Sequence, residues 1–110
     1  PRKEVEEMCR IYQRRRDLVV KTLRELGLEV EPPKATFYIW APIPAGTTSL
    51  DFAARLLDLA GVVVTPGIGY GSRGEGFVRI SLSVPDARLD EAMARIRKVK
   101  DQLSIEAATR

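Results

Sequence analysis

Residues 66–82 have the sequence PGIGYGSRGEGFVRISL, in which a glycine-rich loop leads into a segment of alternating apolar and polar residues. Successive side chains of a β-strand point to opposite faces of the sheet. This segment therefore has an apolar face, formed by Val78, Ile80 and Leu82, that is suited to packing against helices. Its opposite face has Arg79 at the centre, so the segment that predicts a sheet also places a cation in the middle of it.

Helical patterns on both sides of this strand predict a small α/β fold. The predicted elements are a helix over 2–26, a strand over 35–40, a helix over 48–60, strands over 62–65 and 77–82, and a helix over 85–103. Thr48 and Asp51 have the spacing of a capping box at the start of the second helix, and Gly61 ends it. The order α-β-α-β-β-α predicts a two-layer α/β (α+β) sandwich, in which helices cover one face of a small three-stranded sheet.

Composition limits the classes of function that this chain can have. It has 110 residues, 45% apolar and 30% charged, with a formal net charge of +3, which fits one folded domain. The absence of histidine excludes histidine-dependent triads and metal sites within the chain. The one cysteine, Cys9, lies beside an apolar helical stripe, so we expect it to be buried and the protein to be cytoplasmic. No apolar run is long enough to span a membrane.

The glycine-rich loop contains five of the eight glycines, and Gly69, Gly71 and Gly74 match the pattern G-x-G-x-x-G. A dinucleotide-binding loop is followed by a helix whose N-terminus meets the pyrophosphate, but here a strand follows. Two interpretations remain open. The glycines allow a tight turn with positive φ angles, or they let the backbone approach a ligand closely.

Three further features have both a structural and a functional interpretation. Arg79 either lies on a solvated sheet face or presents its planar guanidinium to a carboxylate or phosphate. Tyr38 and Trp40 share one face of an aromatic strand, where they are partly exposed core residues or line a pocket or an interdomain contact. Acidic residues interleave with the basic stretch 14–16, which favours a solvated helix face over a nucleic-acid contact.

Several motifs occur in the order found in a known enzyme family. They are PKATFYIW at 33–40, AGVVVTPG at 60–67, GYG at 69–71, GEG at 74–76 and FVRISL at 77–82. Together with the helix that opens the chain, they resemble the C-terminal small domain of class I/II aminotransferases, the pyridoxal-phosphate enzymes of fold type I. The resemblance extends over residues 5–103. The amino-acid sequence at 34–40 and in the glycine-rich loop is most similar to that of the LL-diaminopimelate aminotransferase group.

This resemblance implies a role for Arg79, which occupies the position where the family binds the α-carboxylate of its amino-acid or 2-oxo-acid substrate. It also implies that Tyr70, Gly69 and Gly71 lie at the substrate end of the same site and that Tyr38 lies close to it. No catalytic, cofactor-binding or metal-binding residue is expected in this chain. The family's catalytic lysine and its site for pyridoxal 5'-phosphate belong to the N-terminal large domain.

Residues 1–110 are then expected to form one domain, the C-terminal small domain of a larger aminotransferase whose N-terminal large domain is absent. The whole enzyme would transfer an amino group between an amino acid and a 2-oxo acid as a cytoplasmic homodimer, and the chain alone would be inactive. No nucleic-acid or membrane partner is expected. The alternative is a stand-alone, non-catalytic binding or regulatory module with the same fold, because a fold alone does not determine a function.

Overall fold

The computed structural model describes residues 2–31 and 37–103. Its helices are α1 (Arg2–Glu25), α2 (Ser49–Arg55) and α3 (Asp86–Lys98), and its strands are β1 (Tyr38–Pro42), β2 (Thr65–Pro66) and β3 (Phe77–Ser81). A π-helical turn continues α2 over Leu56–Ala60, and two 3₁₀ turns lie between β2 and β3, over Gly67–Tyr70 and Ser72–Gly74. Within the described residues, the order of helices and strands is the predicted α-β-α-β-β-α.

The strands form one antiparallel sheet in the order β1–β3–β2, so β3 is the central strand. Trp40 of β1 pairs with Arg79 of β3, and Thr65 of β2 pairs with Arg79 from the other side. The Ile43 amide donates to the Gly76 carbonyl at 2.9 Å and extends the β1–β3 pairing by one step. Arg79 therefore lies at the centre of the central strand.

Helices cover one face of this sheet, as predicted. Alternate residues of β1 and β3 point towards the helices and are buried, while the residues between them lie on the outer face. The core joins the strands to the three helices, and its most deeply buried members include Val19, Leu23, Ile39, Phe52, Val78 and Met93. Burial of this apolar surface is the main favourable contribution to folding. The architecture is the predicted two-layer α/β sandwich.

Helix α1 is buried along its second half. Val19 and Leu23 lie in the core, but Val5 and Met8, which continue the same apolar stripe towards the N-terminus, are exposed. Cys9 is exposed as well, so the prediction that it is buried was wrong. Helical periodicity continues through these first turns, but no described part of the chain covers them, and periodicity alone does not distinguish the two halves.

The predicted strand over 62–65 requires a correction, because regular strand is limited to Thr65–Pro66. Gly61 ends the π-helical turn with a φ of 68°, and the Val62 amide donates to the Leu56 carbonyl at 3.1 Å. This amide closes the end of the helix and is not available to a strand partner. Val63 is exposed, although its neighbours Val62 and Val64 are buried.

The predicted start of α2 is confirmed. The Thr48 hydroxyl accepts a hydrogen bond from the Asp51 amide at 3.2 Å, as expected of an N-cap residue. At the other end, Gly61 adopts the left-handed conformation that commonly ends a helix. Local sequence signals therefore determine both ends of this segment.

The remaining boundaries differ by a few residues from the predicted ones. Strand β1 begins at Tyr38 and ends at Pro42, while positions 35 and 36 of the predicted strand lie outside the described residues. Helix α3 ends at Lys98, and a further helical turn brings Leu103 into the core. None of the helices in the described ranges is long and apolar enough to cross a membrane.

Candidate functional site

Arg79, Tyr38, Trp40 and Tyr70 form one group on the outer face of the sheet, which we call the Arg79 cluster. The central carbon of the Arg79 guanidinium lies 4.9 Å from the ring centroid of Tyr38 and 5.0 Å from that of Tyr70. The Trp40 ring packs edge-on, with centroid distances of 5.2 Å to Tyr70 and 6.3 Å to Tyr38. Cations are attracted to aromatic faces within about 6 Å of the centroid. Two rings therefore hold the guanidinium in place.

Strand register brings together the part of the cluster that lies on the sheet. Trp40 is opposite Arg79 in the β1–β3 pairing, and Tyr38 is the next residue of β1 on the same face. Tyr70 comes from elsewhere, at the end of the 3₁₀ turn that follows β2. The alternation of side chains predicted the faces of Tyr38, Trp40 and Arg79. The family resemblance placed Tyr70 near Arg79, and the structure brings the two together, although no local pattern indicated this contact.

The Arg79 cluster is accessible from outside the chain. Tyr38, Trp40 and Tyr70 are 36%, 37% and 48% exposed. Among the residues that the structure describes, Arg79 has no carboxylate within ion-pair distance. A guanidinium presents five N–H donors in a planar fork and makes strong, charge-assisted bonds to carboxylates. The arrangement can therefore bind a carboxylate group that comes from another molecule.

Gly69 and Gly71, which the resemblance places near the substrate, are the two neighbours of Tyr70 in the loop. Gly71 has a φ of 106°, a conformation that favours glycine. Gly69 does not have a positive φ, and a Cβ there would meet nothing within 4 Å. The close contact of the loop lies elsewhere: a Cβ on Gly67 would lie 1.9 Å from the Gly74 carbonyl oxygen. The excess of glycine predicted a tight turn, but it did not indicate which glycines the backbone contact requires.

Glu75 and Ser49, for which the sequence patterns indicated no role, connect the loop to α2. The Glu75 carboxylate accepts hydrogen bonds from the amides of Ser49 and Gly76, both at 2.8 Å. The buried Ser49 hydroxyl donates to Glu75 at 3.4 Å and accepts from the Ile68 amide at 3.2 Å. These bonds, above all the one from the Ser49 amide, hold the pKa of Glu75 below its usual value. No local pattern reports them, because the two residues are 26 positions apart.

The basic stretch of α1 has a structural role. Arg15 donates to the Asp86 carboxylate at 2.7 Å and to the Leu82 carbonyl at 2.9 Å, and its side chain is 15% exposed. Arg14 pairs with the same carboxylate. The hydrogen bond from Arg15 is the main cause that lowers the pKa of Asp86. The predicted solvated face is therefore wrong for Arg15, which attaches α1 to the first turn of α3.

The described residues place no lysine beside the Arg79 cluster. Their lysines are exposed on α1, on α3 or in the turn that follows α3: Lys3, Lys21, Lys98 and Lys100. These helices pack on the face of the sheet opposite to Arg79, so none of these lysines lies beside the cluster. Lys34 lies outside the described residues. Over 2–31 and 37–103, no group of carboxylate and cysteine side chains could hold a metal ion either. The guanidinium of Arg79 is the charged group of the cluster, so the cluster suits an anionic ligand.

The same fold occurs in solved aminotransferase structures. The aromatic aminotransferase from Pyrococcus horikoshii OT3 matches with a TM-score of 0.83 and 46% identity, over 91% of this chain and 27% of that one. The L,L-diaminopimelate aminotransferase from Chlamydomonas reinhardtii matches with a TM-score of 0.82 and 35% identity, over 89% of this chain and 24% of that one. The fold is therefore that of part of an aminotransferase.

The family model described as "Aminotransferase class I and II" matches residues 1–96, and this chain belongs to that family. It is 54% identical over 98 residues to LL-diaminopimelate aminotransferase from Dehalococcoides mccartyi and 56% identical over 97 residues to that from Desulforudis audaxviator. These matches cover 89% and 88% of this chain and 25% of each relative. The resemblance of the motifs is confirmed, and the chain spans a quarter of the length of these curated relatives.

Proposed function

We propose that residues 1–110 form the C-terminal small domain of an aminotransferase and that Arg79 binds the α-carboxylate of its substrates. The proposal rests on the Arg79 cluster, in which Tyr38 and Tyr70 hold the guanidinium of a partly exposed arginine that has no carboxylate partner among the described residues. Amino acids and 2-oxo acids share a carboxylate at the same end of the molecule. One arginine in a fixed orientation therefore serves both halves of the amino-group transfer.

The geometry of the cluster suits this task. The planar fork of an arginine donates two parallel hydrogen bonds to one carboxylate, which a lysine ammonium does not. The rings of Tyr38 and Tyr70 restrict the guanidinium before the substrate arrives, so less conformational freedom is lost on binding. Gly69 and Gly71 place no side chain on either side of Tyr70, which leaves room for a substrate at the edge of the loop.

LL-Diaminopimelate is the amino donor that the relatives support best, with a 2-oxo acid as the acceptor. Two relatives with this name share 54% and 56% identity with the chain. The aromatic aminotransferase from Pyrococcus horikoshii OT3 is 46% identical, which is a lower value over a similar share of the chain. The α-carboxylate is common to all these donors, so Arg79 orients the substrate and the rest of the enzyme selects its side chain.

Pyridoxal 5'-phosphate, on which the class I/II family generally depends, belongs outside this chain in our proposal, in the N-terminal large domain. This cofactor supplies the electron-accepting ring system for amino-group transfer. The exposed lysines of the described residues lie on α1, on α3 or just after it, and none of them is placed beside Arg79 to bind this cofactor. The chain alone is then inactive, and it acts within a homodimer in the cytoplasm, where its one cysteine stays reduced.

Kinetics of the whole enzyme test the role of Arg79. Arg79→Lys keeps the charge but removes the fork, and we expect KM for LL-diaminopimelate and for the 2-oxo acid to rise about tenfold to a hundredfold, as the loss of charged hydrogen bonds implies. The matched control is Arg73→Lys, an exposed arginine of the same loop, which should leave both values unchanged. Unchanged KM values for both substrates in Arg79→Lys would contradict the assignment.

A non-catalytic binding module remains the second candidate, because fold alone does not determine function. The coding sequence upstream of Pro1 distinguishes the two. An in-frame large domain with a cofactor lysine supports the enzyme, whereas a start codon directly before Pro1 supports the module. Addition of pyridoxal 5'-phosphate to the 110-residue chain is a further test, and we expect no absorbance band of a bound cofactor. A stoichiometric band that is lost in Lys34→Ala would contradict the placement of the cofactor.

A further inference from the structure

We infer that Glu75 and Ser49 are positioning residues that hold the loop 67–76, and with it Tyr70, against Arg79. This inference rests on the proposed function of Arg79 as the residue that binds the substrate carboxylate. Glu75 and Ser49 act indirectly, through the ring of Tyr70. They fix the position of the loop against the sheet face before any substrate binds.

The loop is attached near both of its ends to one buried residue. Near its start, the Ile68 amide donates to the Ser49 hydroxyl at 3.2 Å. Near its end, the Glu75 carboxylate accepts from the Ser49 amide at 2.8 Å and from the Ser49 hydroxyl at 3.4 Å. Ser49 is the first residue of α2 and is fully buried, so the core fixes its position.

Hydrogen bonds inside the loop shape it but do not attach it to α2. The Gly71 amide donates to the Ile68 carbonyl, and the Gly74 amide donates to the Gly71 carbonyl, both at 3.0 Å. The Gly67 and Gly74 backbones touch and keep the loop narrow. At the far end, the bond from Ile43 aligns Gly76 with the sheet. The contacts with Ser49 therefore determine where this preformed loop lies relative to α2.

Tyr70 carries the position of the loop to the Arg79 cluster. It follows Ile68 by two residues, and its ring centroid lies 5.0 Å from the Arg79 guanidinium and 5.2 Å from the Trp40 ring. Because the attraction between cation and ring is effective within about 6 Å, a displacement of the loop by about 1–2 Å weakens it. Glu75 contributes most to this attachment, since hydrogen bonds to a charged acceptor are stronger than neutral ones.

Trp40 gives a readout that does not depend on activity, because it is the one tryptophan of the 110-residue chain and contacts Tyr70. In this chain, we expect Glu75→Ala to shift Trp40 emission to the red and to increase its quenching by acrylamide, while circular dichroism shows an unchanged helix content. Glu91→Ala is the matched control, since Glu91 is an exposed glutamate that pairs with Arg95 on α3. Its Trp40 signal should not change.

In the whole enzyme, we expect Glu75→Ala to raise KM for both substrates about threefold to tenfold, with a smaller effect on kcat, as the loss of about one hydrogen bond implies. Glu75→Gln, which retains an acceptor oxygen, should recover part of this loss. An unchanged Trp40 signal together with unchanged KM values in folded Glu75→Ala overturns the inference. Where Glu75→Ala does not fold, Ser49→Ala is judged by the same two measurements.

Failure of the proposed function gives a different result from failure of this inference. If Arg79 does not bind the carboxylate, Arg79→Lys leaves KM unchanged while Glu75→Ala still alters the Trp40 signal. If Glu75 and Ser49 do not position the loop, Arg79→Lys raises KM while Glu75→Ala leaves Trp40 unchanged. The two sets of variants therefore separate the role of the cation from the role of the loop attachment.

Discussion

Arg79 lies directly opposite Trp40 across the β1–β3 pair, with both side chains on the outer face of the sheet. A shift of one residue in this register would turn Arg79 towards the helices. Val78 and Ile80, the neighbours of Arg79 in β3, are buried in the core and make such a shift costly. The residues that stabilise the fold therefore also keep the cation on the accessible face.

Tyr70 should contribute to substrate binding through its ring. We expect Tyr70→Leu in the whole enzyme to raise KM for both substrates about twofold to fivefold, because one partly exposed cation–π contact is worth about 0.5–1 kcal/mol. Tyr70→Phe keeps the ring and should remain close to the unsubstituted enzyme. Steady-state kinetics measure both, and an equal loss in the two variants would show that the hydroxyl is what matters.

Gly67 and Gly69 should respond differently to the same substitution. Gly67→Ala brings a methyl group into the Gly74 backbone, and we expect a loss of about 1–3 kcal/mol in the free energy of unfolding. Gly69→Ala points into open space and should change stability by less than about 0.5 kcal/mol. Chemical denaturation of the two variants provides the comparison. A stable Gly69→Ala enzyme with a raised KM would support the proximity of Gly69 to the substrate, and similar stability losses in both variants would contradict the loop geometry.

Thr48 should stabilise the start of α2 through its hydroxyl. Thr48→Ala removes the acceptor of the Asp51 amide and is expected to lower the free energy of unfolding by about 1 kcal/mol. Thr48→Ser keeps the acceptor oxygen and serves as the control. Thermal denaturation should rank the unsubstituted chain and Thr48→Ser together, above Thr48→Ala; a destabilised Thr48→Ser would point to the methyl group instead.

Asp86 should make the stability of the fold depend on pH. Its pKa is lowered from the ordinary 3.8, first by the hydrogen bond from Arg15. A carboxylate whose pKa is lowered in the folded state stabilises the fold at a pH above its pKa in the unfolded state. This contribution is lost as the pH falls through its pKa in the folded state. We therefore expect Asp86→Asn to reduce Tm at neutral pH and to approach the unsubstituted chain below pH 3.8.

The control for this pH dependence is Asp90→Asn, an exposed aspartate of α3 without an ion pair among the described residues. It should change Tm little at any pH. A difference between Asp86→Asn and the unsubstituted chain that stays constant across the titration would show that the ion pair with Arg15 is not its source.

Local signals predicted the parts of the fold that depend on neighbouring residues. Alternation in β3 placed Val78 and Arg79 on opposite faces of the sheet. Thr48 and Gly61 defined the two ends of the second helical segment. Both predictions succeeded because strand period and helix ends are properties of short stretches of chain. The face that carries Arg79 was predictable for the same reason. Its role in carboxylate binding was indicated by the family resemblance and remains a prediction.

Contacts between distant positions were not predictable in this way. The rings around Arg79 come from β1 and from the loop, and Glu75 bonds to Ser49, which is 26 positions away. The periodicity of a short stretch of sequence predicts neither of these contacts. The exposure of Cys9 was missed for a related reason. An apolar stripe shows which side of a helix is suited to burial, but the number of turns that are covered depends on the size of the layer beneath.

Prolines lie in both outer strands of the sheet, at the end of β1 and in the two-residue β2. A proline has no backbone N–H, so Pro42 and Pro66 each remove a donor that an incoming strand would need. Edge strands with free backbone groups are the usual starting points for aggregation. By the register, the amide of Thr65 points to Arg79 of β3, and Pro66 has no amide. The two residues of β2 therefore offer no donor to a second molecule, and this edge of the sheet is a poor template for the addition of further strands.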